Sequence, residues 1–131
     1  MHDVYLRFGD DLWERAYGLN DLHPENWFGS VLYLGMGACY IPRIQSPNVT
    51  KTTIVEIDQR TIDHNQFRIK PEWVIVCEDA YKFEPTEQYD FIFVDIWYHS
   101  TPINVIDELV DRYRRYLKDN GEIISLHTIR K

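Results

Sequence analysis

Acidic side chains close or follow three apolar runs of this sequence, and a glycine turn follows a fourth. Glu56 is the last residue but one of TTIVEI, Asp79 lies two residues after WVIVC, and Asp95 closes DFIFVD, whereas VLYLG ends in the first glycine of Gly35-Met36-Gly37. Carboxylates accept hydrogen bonds from sugar hydroxyls and from amines, and glycines let a backbone approach a ligand closely. These positions therefore predict a site for a ligand that contains a nucleoside, provided that the fold brings them together.

The spacing between the glycine turn and the first acid favours a ribose contact. Glu56 stands 21 residues after Gly35, and an acid at that distance in a nucleotide-binding βαβ unit reaches the ribose hydroxyls. We predict that Glu56 binds ribose. Asp58 is better explained as the N-cap of a helix that begins at Gln59.

The end of the third run supplies candidates for binding the base. Asp79, or Glu78 beside it, can accept a hydrogen bond from an adenine amine, and the small side chain of Ala80 leaves room for the ring. A solvated surface carboxylate is the alternative for either acid. We predict adenine contacts at Asp79 and Ala80.

The end of the fourth run supplies candidates for catalysis. Asp95 is followed by Ile96-Trp97-Tyr98-His99, and an ionisable group at the end of a central strand is where a substrate would meet a cofactor. The sequence predicts Asp95, Tyr98 and His99 as catalytic residues, with Asp95 also in contact with the cofactor. A turn cap at Asp95 and simple packing of Trp97 are the alternative.

Short apolar runs, rich in β-branched and aromatic residues, must position these side chains. They predict five strands, at 31–35, 52–57, 73–77, 90–95 and 122–127. Helices are predicted at 10–17, at 59–67 and at 102–118, the last capped by Ser100 or Thr101 and ended by Asn120-Gly121. Strands joined by crossovers form a parallel sheet, so the class is three-layer α/β in a single domain, 1–131. Ligands bind such sheets at the carboxyl ends of the strands.

Composition and charge limit the kinds of partner, cofactor and cellular location that we expect. The 14 basic and 21 acidic residues give a net charge of −7, which disfavours binding to nucleic acid or to an anionic membrane. The two cysteines and five histidines show no metal-ligand spacing, so no metal is predicted. No apolar run has membrane-spanning length and no leader segment is recognised, so we expect a cytoplasmic protein.

In their order along the chain, these motifs resemble the class I S-adenosylmethionine-dependent methyltransferase fold, and within it the spermidine synthase-like branch. The resemblance covers residues 28–127: VLYLGMG is similar to the first motif, TTIVEID to the ribose-binding strand, VCEDAYKF to the adenine segment, YDFIFVDIWY to the fourth motif, and LKDNGEIISL to the stretch before the fifth strand. It implies a Rossmann-like parallel sheet of about five strands in the order 3-2-1-4-5, with helices on both faces. It also implies S-adenosylmethionine as the cofactor.

Carried over by position, the resemblance implies a role for each candidate. Gly35 and Gly37 would approach the methionine part of the cofactor, Glu56 its ribose and Asp79 its adenine amine, while Asp95 would lie beside the methionyl group or the acceptor. Three residues stand where the family has glycines: Cys39, Glu78 and Asn120.

These residues favour a methyltransferase that acts on an unidentified small-molecule acceptor, with Asp95 or His99 as the base.

An aminopropyltransferase fits the segment VEID, but its glycine turn would carry an acid where this chain has Met36, Ala38 and Cys39. A nicotinamide dehydrogenase needs a third glycine in place of Tyr40, and a nucleic-acid amino-methyltransferase needs prolines after Asp95. A non-catalytic subunit that binds a nucleoside cofactor stays open.

Two further features carry expectations about shape and assembly. The predicted fifth strand presents an open edge, and because exposed edges are usually covered or paired, we expect a homo-oligomer through that strand or the adjoining helix. Pro42 lies where the first helix should rise. We expect it to shorten or distort that helix.

Overall fold

A parallel sheet forms the centre of the molecule. The computed structural model describes residues 23–37, 39–96 and 102–125. Its five strands are β1 (Gly29–Leu34), β2 (Val49–Glu56), β3 (Val74–Cys77), β4 (Tyr89–Val94) and β5 (Leu117–Ser125). They lie in the order β3-β2-β1-β4-β5, and every neighbouring pair is parallel. The predicted class and strand order are confirmed.

In these described ranges there are three α-helices and three 3-10 turns, and all but the first 3-10 turn, which precedes β1, lie between strands. The helices are α1 (Tyr40–Ile44), α2 (Gln59–His64) and α3 (Ile103–Tyr113), and the 3-10 turns span Pro24–Asn26, Gln66–Arg68 and Arg114–Tyr116. The α3 helix forms because apolar side chains recur at helical spacing, and Ile106, Leu109 and Tyr113 on that face are fully buried. No helix in these described ranges is long and apolar enough to cross a membrane.

The cap predicted for α2 is confirmed. Asp58 precedes the helix with extended backbone, and its side chain accepts a hydrogen bond of 2.9 Å from the amide of Arg60. The helix is shorter than predicted, because it ends at His64 and the chain continues as the 3-10 turn rather than to residue 67.

The predicted end of the long helix is wrong. The helix stops at Tyr113, takes one 3-10 turn and enters β5 at Leu117, so Asn120-Gly121 lies within a strand and does not end a helix. Pairing with β4 outweighs the helical pattern here. Gly121 permits that pairing, because a Cβ at this position would lie 2.9 Å from the carbonyl oxygen of Tyr89.

Other boundaries differ by a few residues or fall outside the described ranges. The strands β1, β2 and β4 begin one to three residues earlier than predicted, and β3 begins one residue later. The N-cap position of α3 is Pro102, which makes no side-chain cap, and the predicted caps Ser100 and Thr101 lie outside the described residues, as does the predicted helix at 10–17.

Pro42 occupies the middle of α1, which has only five residues, in agreement with the expected shortening. It is the third residue of that helix. A backbone amide in the first turn of a helix has no partner within the helix, so proline removes no hydrogen bond there. The proline is therefore compatible with a single turn after the glycines.

The two faces of the sheet carry separate apolar clusters. Along β1, Val31 and Tyr33 belong to one cluster and Leu32 and Leu34 to the other, and all four side chains are inaccessible to solvent. Burial on alternating sides is expected of a strand covered on both faces. The central strands are therefore a rigid support for whatever follows their carboxyl ends.

Candidate functional site

Backbone hydrogen bonds align the carboxyl ends of four strands. The amide of Gly35 donates to the carbonyl oxygen of Val55 (2.7 Å), that of Glu78 to Glu56 (3.1 Å), and that of Asp95 to Leu34 (2.8 Å). The ends of β3, β2, β1 and β4 thus lie side by side. In open sheets of this topology, ligands bind in the crevice at this edge, where the strand order reverses.

Glu56 is bonded directly to the glycine turn. One carboxylate oxygen, Oε1, accepts from the amide of Met36 at 2.9 Å, and Oε2 accepts from the amide of Asp58 at 2.9 Å. The residue is 9% exposed. Each carboxylate oxygen offers about two acceptor sites, so the group keeps capacity for further donors. The acid and the turn therefore form one structural unit at the carboxyl edge.

The glycines of the turn have left-handed backbone. Gly35 has φ +100° and Gly37 has φ +54°. A Cβ at Gly35 would lie 2.4 Å from the carbonyl oxygen of Asp95, so this glycine is required for the close approach of β1 and β4. The sequence predicted a ligand contact at Gly35 and missed this structural requirement.

Asn65, at the end of α2, is hydrogen-bonded to the glycine turn. Its Nδ2 donates to the carbonyl oxygen of Gly37 at 3.0 Å and to that of Thr61 at 2.8 Å, and its Oδ1 accepts from Arg68 at 3.0 Å. It is 1% exposed. Sequence reasoning missed Asn65, because an asparagine after a helix indicates only a helix end.

Asp95 is buried at the end of β4, with 6% of its surface exposed. Its charge acts on Tyr33 in β1 and on Cys39 after the glycines of the turn. Burial, followed by the charge of Asp95, raises the pKa of Tyr33 well above its usual value and raises the pKa of the Cys39 thiol to about 12. Because a nucleophilic cysteine must be a thiolate, Cys39 is excluded as a nucleophile near neutral pH.

The end of β3 is held in a fixed turn. The half-buried Asp79 accepts a hydrogen bond of 2.9 Å from the amide of Tyr81, and the carbonyl oxygen of Ala80 accepts one of 2.5 Å from the hydroxyl of Tyr113 in α3. Asp79, the acid predicted to contact adenine, therefore has a defined orientation, whereas its alternative Glu78 is exposed.

Ile57 is an apolar residue of this edge that the sequence analysis did not single out. It follows Glu56 directly and is 66% exposed. The Cys77 Sγ lies 3.9 Å from its carbonyl oxygen, so the ends of β2 and β3 meet here. An exposed β-branched side chain beside two strand ends offers an apolar surface to a flat ring.

Part of the predicted site lies outside the described residues. Tyr98 and His99, predicted as catalytic, and Trp97 before them belong to this group. Their roles stay predictions. In the ranges 23–37, 39–96 and 102–125, no group of three or more His, Cys, Asp or Glu side chains is arranged to hold a metal ion.

Two cavities in the described part of the chain lie away from the candidate residues. One of about 260 Å³ is lined by Gln45, Thr52 and Trp73, near the beginning of β2. Another cavity, of about 230 Å³, lies on one face of β2 and β3 and is lined in part by Phe83 and Tyr89. We favour the carboxyl edge on chemical grounds, because Glu56, Asp79 and Asp95 lie there and neither cavity includes them.

No protein-family model matches this sequence, and comparison with curated protein sequences gives no match. Solved structures do share the fold. The N-methyltransferase NodS from Bradyrhizobium japonicum WM9 has a TM-score of 0.70 at 19% identity, covering 87% of this chain and 66% of NodS. A DhpI-SAM-HEP complex has a TM-score of 0.73 at 20% identity, covering 95% of this chain and 57% of DhpI.

A third similar structure is the plantazolicin methyltransferase BpumL in complex with a pentazolic desmethylPZN analog and SAH. Its TM-score is 0.64 at 17% identity, with coverage of 91% of this chain and 48% of BpumL. This chain therefore spans about half to two thirds of the length of these proteins. The class I methyltransferase fold predicted from the sequence is confirmed as a fold, without the spermidine synthase-like branch.

Proposed function

We propose that residues 1–131 form a single S-adenosylmethionine-binding domain of a methyltransferase that acts on a small-molecule acceptor. One observation carries this proposal: the Glu56 carboxylate is bonded to the Met36 amide of the glycine turn at 2.9 Å. A turn and an acid that are fixed to each other before a ligand arrives are preorganised for a nucleoside. The names of similar structures, which include methyltransferases and complexes with SAM or SAH, support the choice of cofactor.

The carboxyl edge offers complementary chemistry for each part of S-adenosylmethionine. The turn at Gly35 and Gly37 would take the methionine part, because these two residues have no side chain to keep a ligand from the backbone. Glu56 would accept from the ribose hydroxyls with its remaining lone pairs. Asp79 would accept from the adenine amine, while Ala80 leaves space for the ring.

Bound S-adenosylmethionine would supply a methyl group on a positively charged sulfur. Asp95, buried at the end of β4, would orient the acceptor and take its proton as the new bond to the methyl carbon forms and the carbon–sulfur bond breaks. His99 is the second candidate for the base. Tyr98 and Trp97 would stack on a planar acceptor or shield the sulfonium.

Calorimetric titration of the purified chain with S-adenosylmethionine, S-adenosylhomocysteine and NAD tests the proposal. We expect binding of the two adenosyl compounds and none of NAD, because the side chain of Tyr40, 6% exposed, occupies the position of the third dinucleotide glycine. Binding of NAD alone, or of none of the three, would overturn the proposal. Turnover with candidate acceptors then separates an enzyme from a non-catalytic binding subunit.

An aminopropyltransferase of the spermidine synthase-like branch is the second candidate. The order Glu56-Ile57-Asp58 favours it. The residues at Met36 and Cys39 disfavour it. These turn positions are buried and apolar, so they provide no carboxylate for an aminopropyl nitrogen. Release of methylthioadenosine from decarboxylated S-adenosylmethionine and an amine acceptor, rather than of S-adenosylhomocysteine from S-adenosylmethionine, would identify this reaction.

We also propose a homo-oligomer and a cytoplasmic location. In the described sheet β5 is an outer strand that pairs with β4, and nine residues, Leu117–Ser125, form it. A second copy pairing along this edge would satisfy its backbone groups. Light scattering after gel filtration at micromolar concentration should give the mass of a dimer, and a monomer mass would contradict this.

A further inference from the structure

We propose that Asn65 is a positioning residue that holds the glycine turn in the shape needed by the cofactor, with Arg68 fixing the orientation of the Asn65 amide. This inference rests on the proposed function. It concerns how the site is built rather than which group reacts. Neither residue follows from the motifs that indicated the site.

The amide of Asn65 joins two elements that are distant in sequence. Its Nδ2 donates to the carbonyl oxygen of Gly37, 28 residues earlier, and to that of Thr61 in α2. Both protons of the amide nitrogen therefore have acceptors. At 1% exposure, water does not replace these bonds, so losing them leaves a buried carbonyl group without its donor.

Arg68 determines which way the amide faces. Its guanidinium donates to Asn65 Oδ1 at 3.0 Å, and a guanidinium has no acceptor for the NH₂ group of a reversed amide. Reversal would also direct Oδ1 toward the two carbonyl oxygens. The arginine thus keeps the donor side of Asn65 on the turn.

The turn needs such an anchor because its backbone is left-handed at two positions that are two residues apart. Gly37 has φ +54°, and Cys39, which is not a glycine, has φ +57°. Left-handed backbone at a residue with a Cβ is strained and persists only where surrounding contacts impose it. A turn that is held in this state before binding loses less conformational entropy when the cofactor binds.

Asn65→Ala and Asn65→Asp test the role in the whole chain. Asp keeps an acceptor for Arg68 but places oxygen against the carbonyl oxygen of Gly37. Gln66→Ala is the matched control, because Gln66 begins the following 3-10 turn and its side chain donates to the carbonyl oxygen of Ile62, at 3.4 Å, rather than to the glycine turn. Two readouts are needed: S-adenosylhomocysteine affinity at a temperature where each variant is folded, and hydrogen exchange of the Cys39 amide, which donates to Met36 at 2.9 Å in the turn.

We expect affinity to fall about tenfold in both Asn65 variants and less than twofold in the control. Exchange at Cys39 should accelerate, while exchange in β1 and β2 stays slow. Arg68→Ala, which keeps Asn65 itself, should weaken binding about threefold, and it serves where an Asn65 variant does not fold. If the wild type binds S-adenosylhomocysteine and both the Asn65 variants and Arg68→Ala bind equally well, the inference is wrong. If the wild type does not bind, the proposed function is wrong instead.

Discussion

The acids at the two ends of the sheet meet different partners. At the amino end, Lys118 Nζ lies 3.1 Å from Asp90 Oδ2, and Lys51 forms an ion pair with Glu87. Asp90 also accepts from the amide of Ser30 at 2.9 Å, so it joins β4, β5 and β1. Each of these acids is matched by a cation and serves the fold.

At the carboxyl end, backbone amides take the place of lysines. Glu56 accepts from the amides of Met36 and Asp58, and Asp79 accepts from that of Tyr81. In the described part of the chain, no lysine or arginine forms an ion pair with Glu56 or Asp79. A neutral amide orients a carboxylate and leaves its charge in place, so these acids stay able to bind a ligand.

Replacing Asp95 by Asn should have the largest effect. If Asp95 takes a proton from the acceptor, Asp95→Asn lowers kcat about 100-fold or more, while S-adenosylhomocysteine affinity stays within about threefold. Asp90→Asn, at the other end of β4, is the matched control and should keep kcat. Steady-state kinetics with the acceptor found by turnover screening measures both. Full turnover of Asp95→Asn would remove this residue from the chemistry.

Replacing Glu56 by Gln should weaken cofactor binding about 30-fold, or about 2 kcal/mol. An amide at this position places its NH₂ group against the backbone amide of either Met36 or Asp58, which are both donors. Glu87→Gln removes an acid of the same size from the amino end and should leave affinity unchanged. Calorimetry compares the two variants. An equal loss of cofactor affinity in both variants would contradict the claim that only the acids at the carboxyl end of the sheet bind the cofactor.

Gly35→Ala should lower the free energy of unfolding by about 2 kcal/mol, because the new Cβ meets a backbone carbonyl at φ +100°. Gly29→Ala is the comparison at the amino end: φ is also positive there, at +70°, but the Cβ would meet the carboxylate of Asp90, a side chain that can move, rather than a backbone carbonyl. A smaller loss is expected there. Urea unfolding followed by fluorescence gives both values, and a larger loss at Gly29 would contradict the geometry.

Asp90→Asn should have the smallest effect and should lower the free energy of unfolding by about 1 kcal/mol near pH 7. Burial raises the pKa of Asp90, but the Ser30 amide and Lys118 outweigh it, and the pKa lies below its usual value. A lowered folded-state pKa contributes stability that is fully present above the unfolded-state pKa of about 4. This stability is lost as the pH falls through the lower, folded-state pKa. The difference between wild type and variant should therefore shrink in acid. Urea midpoints from pH 7 to pH 2.5 that stay equally far apart would contradict this.

The sequence was sufficient where a local pattern coincides with the tertiary position. Glu56 and Asp58 were assigned correctly to the end of β2 and to a helix cap, because the apolar run before them and the helix after them are both local signals. The parallel sheet followed from crossovers of adequate length, and the strand order followed from the family resemblance. The strand end at Glu56 and the cap at Asp58 depend mainly on residues that are close in sequence.

The sequence was insufficient where distant contacts decide. The stretch from Leu117 to Gly121 is polar enough to end a helix, yet its pairing with β4 makes it a strand. Asn65 is unremarkable until the fold brings it to Gly37. The close approach of the Asp95 carbonyl oxygen to Gly35 is visible only in three dimensions, whereas the ligand contact at Gly35 stays a prediction.

A crystal structure of this chain with S-adenosylhomocysteine tests the central claim most directly. We predict that both ribose hydroxyls lie within about 2.6–3.2 Å of the Glu56 carboxylate, with the glycine turn still bonded to the same side chain through Met36. Binding in the cavity near the beginning of β2, or a ribose that faces away from Glu56, would contradict the account.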